Sequence, residues 1–202
     1  MEHQPLPDLS LENAARAAGH LFMAGADEAG RGCLAGPVVA AAVVLPPNAR
    51  IPGLNDSKLL KARDREALIP IIQEQAIATS VAWCSIDEIE RLNILWASLE
   101  AMRKAVHLLA VPPTLVLVDG NRAIPNLPCA QKTVVKGDSK SMSIAAASVL
   151  AKVTRDAMMV ELDQEWPQYG WRQHKGYATR DHYEALRMHG PSPHHRASFR
   201  LA

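Results

Sequence analysis

Cysteine is scarce in this chain: Cys33, Cys84 and Cys129 are odd in number and too dispersed for a C-x-x-C pair. That pattern argues against a disulfide framework or a zinc site and predicts buried free thiols. Long apolar runs are also missing. The longest, around Val38 to Leu45, falls well short of the roughly 20 residues that a membrane-spanning helix needs. The N-terminus carries acids rather than a basic region before an apolar segment, so the sequence predicts a cytoplasmic protein without a membrane partner. Nor is there a strong net charge: a formal +1 at pH 7 argues against bulk attraction to a polyanion. There is no internal repeat, no low-complexity tract and no G-x-x-x-x-G-K-[ST] phosphate loop. The glycines at 30, 32 and 36 invite comparison with a dinucleotide-binding turn. They lead into Pro37-Val38-Val39 and a second strand rather than opening a helix, so that assignment fails on context.

What is present suits one globular domain. With 202 residues, 48% hydrophobic and 21% charged, the chain can bury a sizeable core, and its 14 prolines imply many turns. Residues 1–20 read as a loose N-terminal extension with a short helix over Leu11 to Ala18. Leu21 to Ala26 and Pro37 to Leu45 are apolar runs separated by a Gly-rich turn, which predicts an antiparallel hairpin. Lys61 to Gln75 has helical spacing interrupted by Pro70, which predicts a kink or restart. Val81 to Ser85 reads as a short strand. Ser85-Ile86-Asp87-Glu88 fits a capping box, and the periodicity from there to Leu109 predicts one helix with Leu95, Leu99, Met102 and Val106 on its buried face. Thr114 to Val118 and Lys132 to Val135 read as further strands, and Ser141 to Val160 as an Ala-rich helix packed closely on a sheet.

Acids recur at strand ends. Asp27-Glu28, Asp119-Gly120 and Gly137-Asp138 each follow an apolar run and sit beside glycine. Each alone has a plain explanation, a turn or a helix start. The threefold recurrence is what suggests a shared crevice, because strand ends in an open α/β sheet converge. Carboxylates gathered together repel and resist desolvation unless a cation joins them. Oxygen-only ligands favour Mg²⁺ or Mn²⁺ over Zn²⁺. Glycines beside Asp27-Glu28 let the backbone approach a bulky ligand closely.

The last 32 residues carry a local excess of base: Arg172, Lys175, Arg180, Arg187, Arg196 and Arg200 against Asp181 and Glu184, a net +4. Taken alone, such a run suits a solvated face better than a phosphate-facing one, though the latter stays open. Within it, His174-Lys175-Gly176-Tyr177 sets cations beside an aromatic ring that could stack on a sugar or base. His194-His195, as immediate neighbours, point apart and predict a surface role rather than a metal pair.

Six segments in order resemble the type 2 ribonuclease H family. They are Gly25-Ala26-Asp27-Glu28-Ala29-Gly30-Arg31-Gly32, Leu54-Asn55-Asp56-Ser57-Lys58, Val118-Asp119-Gly120, Lys136-Gly137-Asp138, the run from Ala145 to Asp156, and His174-Lys175-Gly176-Tyr177. The resemblance implies an α/β ribonuclease H-like fold over residues 21–202, with a mixed five-stranded sheet, flanking helices and a small C-terminal helical lobe over about 165–202. It implies cleavage of the RNA strand of RNA-DNA hybrids and nicking 5′ of a ribonucleotide embedded in duplex DNA, leaving 5′-phosphate and 3′-hydroxyl ends. Asp27, Glu28, Asp119 and Asp138 would be the catalytic, metal-binding carboxylates for Mn²⁺ or Mg²⁺, consistent with two-metal phosphodiester hydrolysis. Gly30, Arg31 and Gly32 would read the ribose 2′-hydroxyl, and Tyr177 would pack on the following deoxyribose. Lys58, Lys140, Lys152 and Lys175 are candidate phosphate contacts. A monomer is expected, and the chain stops too soon after Ser198-Phe199-Arg200 to leave room for a clear clamp-binding tail. Two other readings stay open on sequence alone: another nuclease of the same superfamily, and a non-catalytic hybrid-binding protein.

Overall fold

A computed structural model describes residues 6–201. Residues 1–5, within the expected N-terminal extension, and residue 202 lie outside the described residues. Five strands form one mixed sheet: β1 (Met23–Ala29), β2 (Val38–Val44), β3 (Ala78–Cys84), β4 (Leu115–Asp119) and β5 (Ala130–Val134), in the order β3-β2-β1-β4-β5. β1 and β2 form the expected hairpin, and β3 adds to β2 antiparallel. β4 joins the other edge of β1 in parallel, followed by parallel β5.

The helices are α1 (Ser10–Ala17), α2 (Ala62–Gln75), α3 (Ile86–Leu92), α4 (Ile94–His107), α5 (Met142–Glu165), α6 (Trp171–His174) and α7 (Arg180–His189). Alternation along β1 and β2 divides the core. Ala24, Ala26, Val38, Ala40, Ala42 and Val44 pack against Ala97, Ala101, Met102 and Ala105 of α4. Ala29, Ala41 and Val43 face Ala145, Ala146, Val149 and Leu150 of α5, with Leu68 and Ile72 of α2 behind. Small side chains let α5 lie very close to the sheet. A Cβ on Gly25 would stand 2.2 Å from the Ser143 carbonyl carbon, so only glycine fits there.

Several boundaries differ from the sequence reading. Asp27 and Glu28 do not follow β1 but lie within it, opposite Ala41 and Ala40 of β2. The single helix expected from Ser85 to Leu109 is broken at Asn93. This residue has φ 63° and caps α4 through Oδ1, accepting from Leu95 N–H at 3.0 Å. The capping box at Ser85 and Glu88 is present at the start of α3. Pro70 does not break α2, which runs through it on an exposed face. Residues 8–17 are not a loose lead-in either: Ala15 and Glu12 are buried, and Ala15 packs with Met23, Leu115, Leu117, Val134 and Ile144. The thiols of Cys33 and Cys84 are buried, Cys129 is half-buried, and all three are free. No helix among the described residues is long and apolar enough to cross a membrane.

Candidate active site

The pairing of β1 with β4 ends at Ala26 and Val118, so the next residues, Asp27 and Asp119, stand side by side at the sheet end. Two residues beyond β5, Lys136 turns the chain in a left-handed conformation at φ 54°. It opens a short 3-10 turn, Gly137–Ser139, that carries Asp138. Asp119 reaches across to this turn: its Oδ1 accepts from Gly137 N–H at 2.7 Å. Asp27, Glu28, Asp119 and Asp138 are thus delivered to one end of the sheet by three separate chain segments.

Their electrostatics reflect crowding. Burial, then the charges of Glu28 and Asp119, hold the Asp27 carboxyl well above the usual carboxylate range, although a hydrogen bond from Ser148 of α5 acts the other way. Glu28 is raised chiefly by burial and by Asp119, against the lowering effect of Arg31. Asp138 is raised by burial, Asp56 and Asp119, against Lys58. Each acid leans on a protein donor. Asp27 Oδ1 accepts from Glu28 N–H (2.7 Å), Glu28 pairs with Arg31 (3.2 Å) and Asp138 pairs with Lys58 (3.4 Å).

Among the described residues no three His, Cys, Asp or Glu side chains are already drawn together as a ready-made metal cage. The donor set nonetheless fits a hard divalent cation: oxygen ligands only, buried and crowded together. A cation would offset the burial and the crowding of like charge that raise Asp27, Glu28 and Asp138.

The Gly30 to Gly36 segment leaves β1 with two positive-φ glycines and is stapled from behind. Gly30, at φ 99°, lies so near Arg155 that a Cβ would stand 2.0 Å from Nε. Arg155 is buried and donates to the carbonyls of Pro37 (3.0 Å), Ala35 (3.0 Å) and Lys175 (2.9 Å). Arg196 is buried too, and donates to Gly36 (2.9 Å) and Arg31 (3.0 Å). Two buried guanidiniums thus hold this turn through backbone carbonyls. Burial and the neighbouring Arg155 charge lower Arg196 to about 10, still protonated at neutral pH.

Tyr177 belongs to the same assembly. Leu34 N–H donates to Gly176 carbonyl at 2.8 Å, and Cys33 bridges to Tyr177. The tyrosine is 40% exposed, with Lys152 Nζ 5.2 Å and Arg155 Cζ 6.0 Å from its ring centre. Of the candidate lysines, Lys58 and Lys152 stand at the site, and Lys152 also pairs with Asp156 at 2.6 Å. Lys140 donates to Val135 carbonyl at 2.7 Å beside the Asp138 turn, and Lys175 is tied back to Arg172 carbonyl.

The histidine expectation is corrected here. His195 is buried, not on the surface, and belongs to a relay under the Tyr177 loop. Ser192 N–H donates to His195 Nδ1 at 2.9 Å, so His195 carries its proton on Nε2 and donates to His182 Nε2 at 3.0 Å. Trp171 Nε1–H also donates to His182 Nε2, at 3.1 Å. His182 is left to donate from Nδ1 to Tyr177 carbonyl at 2.9 Å. Burial lowers both imidazoles, His195 to about 4.

A family model described as ribonuclease HII matches residues 24–202. The chain belongs to the ribonuclease HII family. It is accordingly an endonuclease of the type 2 ribonuclease H class, a family that depends on divalent metal and cleaves RNA in RNA-DNA hybrids. Ribonuclease HII of Marinomonas sp. (strain MWYL1) is 57% identical over 178 residues, 88% of this chain and 89% of that one. Ribonuclease HII of Salinibacter ruber is 53% identical over 196 residues, 96% and 98% of the two chains. Among solved structures, ribonuclease H2 of Pyrococcus horikoshii OT3 is similar with a TM-score of 0.74 and 26% identity, covering 90% of this chain and 95% of that one. The RNase HII of Archaeoglobus fulgidus, solved as a complex with PCNA, has a TM-score of 0.76 and 27% identity, covering 90% and 96%. The mixed five-stranded sheet with flanking helices is the fold expected for ribonuclease HII.

Ser148, Arg155 and Arg196 fall within segments noted in the sequence, but sequence reading assigned none of them a place at the site. Arg155 stands between Lys152 and Asp156 in α5, and nothing local marks it as the buried one of the three. Nothing in local spacing separates Arg196 from the exposed bases of the tail.

Proposed function

We propose that the chain nicks duplex DNA on the 5′ side of an embedded ribonucleotide as well as cutting RNA-DNA hybrids, leaving 5′-phosphate and 3′-hydroxyl ends. In this reading Asp27, Glu28, Asp119 and Asp138 hold Mg²⁺ or Mn²⁺. The observation that carries it is the locking of the Gly30 to Gly36 turn to the Tyr177 loop directly beside the four carboxylates. A divalent cation held there supplies charge neutralisation at the phosphate and lowers the pKa of water.

The protein's part is placement. Gly32 is exposed, and nothing lies within 4 Å of the position a Cβ would take, so the turn presents backbone to an approaching ribose. A ring at Tyr177 can lie on the next sugar, with Arg155 beside the ring and His182 holding its backbone carbonyl. Lys58 and Lys152 add positive charge where a phosphodiester would cross. Discrimination then follows geometry: only a nucleotide with a 2′-hydroxyl satisfies the glycine turn while its 5′ phosphate lies at the acids.

The test is a duplex carrying one ribonucleotide beside an all-DNA duplex of the same sequence, each with Mg²⁺, Mn²⁺ or a chelator. Nicking of the first alone, 5′ of the ribonucleotide and only with metal, is the expected result. An intact single-ribonucleotide duplex alongside a cut RNA-DNA hybrid would overturn the finer assignment.

A further inference from the structure

Glu12 lies before the segment that the family model matches, yet it is 1% exposed and reaches the start of α5. One of its oxygens, Oε1, accepts three hydrogen bonds: from Ser141 Oγ (2.6 Å), Ser143 Oγ (2.5 Å) and Ser143 N–H (3.0 Å). Oε2 is buried without a hydrogen-bond partner among the described residues. A carboxylate this deeply buried is costly unless its charge is met.

The first turn of α5 meets it. That turn has three leading N–H groups, and each has a partner. Met142 N–H donates to Asp8 carbonyl (2.8 Å), Ser143 N–H to Glu12, and Ile144 N–H to Ser141 Oγ (3.2 Å). Two of the three partners thus come from residues 8–12, so the N-terminal segment caps α5 from a distance of some 130 residues in sequence. The same segment grips the preceding turn, with Asp8 N–H donating to Lys140 carbonyl at 3.4 Å and Asp8 bridging Ser141 in parallel. The Asp138 turn hangs from this joint, since Lys140 and Ser141 N–H groups both return to Gly137 carbonyl. Across the joint, Gly25 presses its backbone against Ser143, two residues before Asp27.

We infer that Glu12 is a positioning residue of the metal site: by capping α5 it fixes the Asp138 turn against Asp27 and Asp119. The inference rests on the metal-site reading above. If Glu12 releases the turn, Asp138 must be drawn into place by the cation itself, and metal affinity falls while the other acids are untouched. Supporting groups of this kind are worth about 10- to 100-fold in metal affinity.

The experiment uses the full chain without substrate. Mn²⁺ is titrated calorimetrically into the wild type, Glu12→Gln, Ser143→Ala and Asp138→Asn, and melting temperatures are recorded in parallel. Glu12→Gln keeps the size of the side chain and removes its charge. It is expected to weaken Mn²⁺ binding about tenfold and to raise the Mn²⁺ concentration that half-activates nicking by the same factor, with the rate recovering at saturating metal. Ser143→Ala, which leaves the carboxylate in place, is expected to give a smaller shift in the same direction, and it decides the matter if Glu12→Gln does not fold. Isotherms of both variants that superimpose on the wild type, alongside a weakened Asp138→Asn, would overturn the inference and leave the metal-site reading standing. An unweakened Asp138→Asn would remove the metal-site reading, and the inference with it. A lowered melting temperature with an unchanged isotherm would make Glu12 a structural cap only, which also overturns it.

Discussion

Asp119 accepts a hydrogen bond from the backbone N–H of Gly137, 2.7 Å away across 18 residues of chain. This contact ties the end of β4 to the turn bearing Asp138, so that one acid at a strand end and one in the turn after β5 keep a common orientation toward β1.

Asp27 exchanges stability for site chemistry. Its carboxyl is raised by burial first and by Glu28 and Asp119 next, so in the metal-free protein the ionised form is disfavoured above the unfolded pKa near 3.9. Asp27→Asn removes that penalty while keeping an acceptor for the Glu28 N–H. It is expected to raise the melting temperature in chelator by about 2–4 °C, roughly 1 kcal/mol for a chain of this size, and to abolish nicking. Thermal melts with chelator and with Mn²⁺ check both parts: added metal should raise the wild-type melting temperature and leave that of the variant nearly unmoved.

Gly30 and Gly32 separate two uses of glycine. At Gly30 the positive φ and the Arg155 side chain leave no room, so Gly30→Ala should cost about 3 kcal/mol or more and be seen as a lowered urea midpoint. Gly32 has open space around it, and Gly32→Ala should melt like the wild type. If a ribose approaches that backbone, the same variant should lose about tenfold or more in cleavage of a single-ribonucleotide duplex. Full activity of Gly32→Ala would remove Gly32 from the recognition surface.

Arg196 is expected to act through the turn that it holds. Arg196→Met leaves the carbonyls of Arg31 and Gly36 without their buried donors, at about 1–3 kcal/mol for each unpaired group, partly offset by removal of a buried charge. Denaturant unfolding should show a net loss, and steady-state kinetics should show a raised KM for the ribonucleotide duplex before any loss of fold at 25 °C.

Acid should destabilise the packing around His195. His195 is neutral in the fold, with its pKa pushed down to about 4 by burial and by His182, while the unfolded chain takes up its proton near 6.5. Between these values the unfolded state binds more protons, so stability falls as the pH drops from about 6.5 to 4 and is unaffected above that window. The full shift is worth up to ~3 kcal/mol. Urea midpoints at pH 7 and pH 4.5 check this, and in a His195→Gln variant the decline should be smaller.

The Gly25-to-Gly32 octapeptide, the acids after apolar runs and the Ala-rich α5 were legible because strand alternation and close packing write themselves into short stretches of chain. Val118-Asp119 and Gly137-Asp138 could be proposed as partners of Asp27 from their recurring setting alone. Other features left no local trace. Asn93 splits one periodic segment into two helices by adopting a left-handed conformation, and a hydrophobic pattern cannot report a single backbone angle. His195 looks like a surface neighbour of His194 until His182 and Trp171 are folded over it. Arg155, Arg196 and Glu12 are charged residues whose local sequence suits exposure. They are buried because the carbonyls or helix N–H groups that meet them come from segments far away in the chain. The sequence by itself determined the family, through six short motifs in order, and most of the strands, because strand alternation and motif chemistry are written within a few residues. Only the tertiary structure decided which charges serve the scaffold and which face a ligand, because a buried charge is tolerated only where the whole fold supplies its partners.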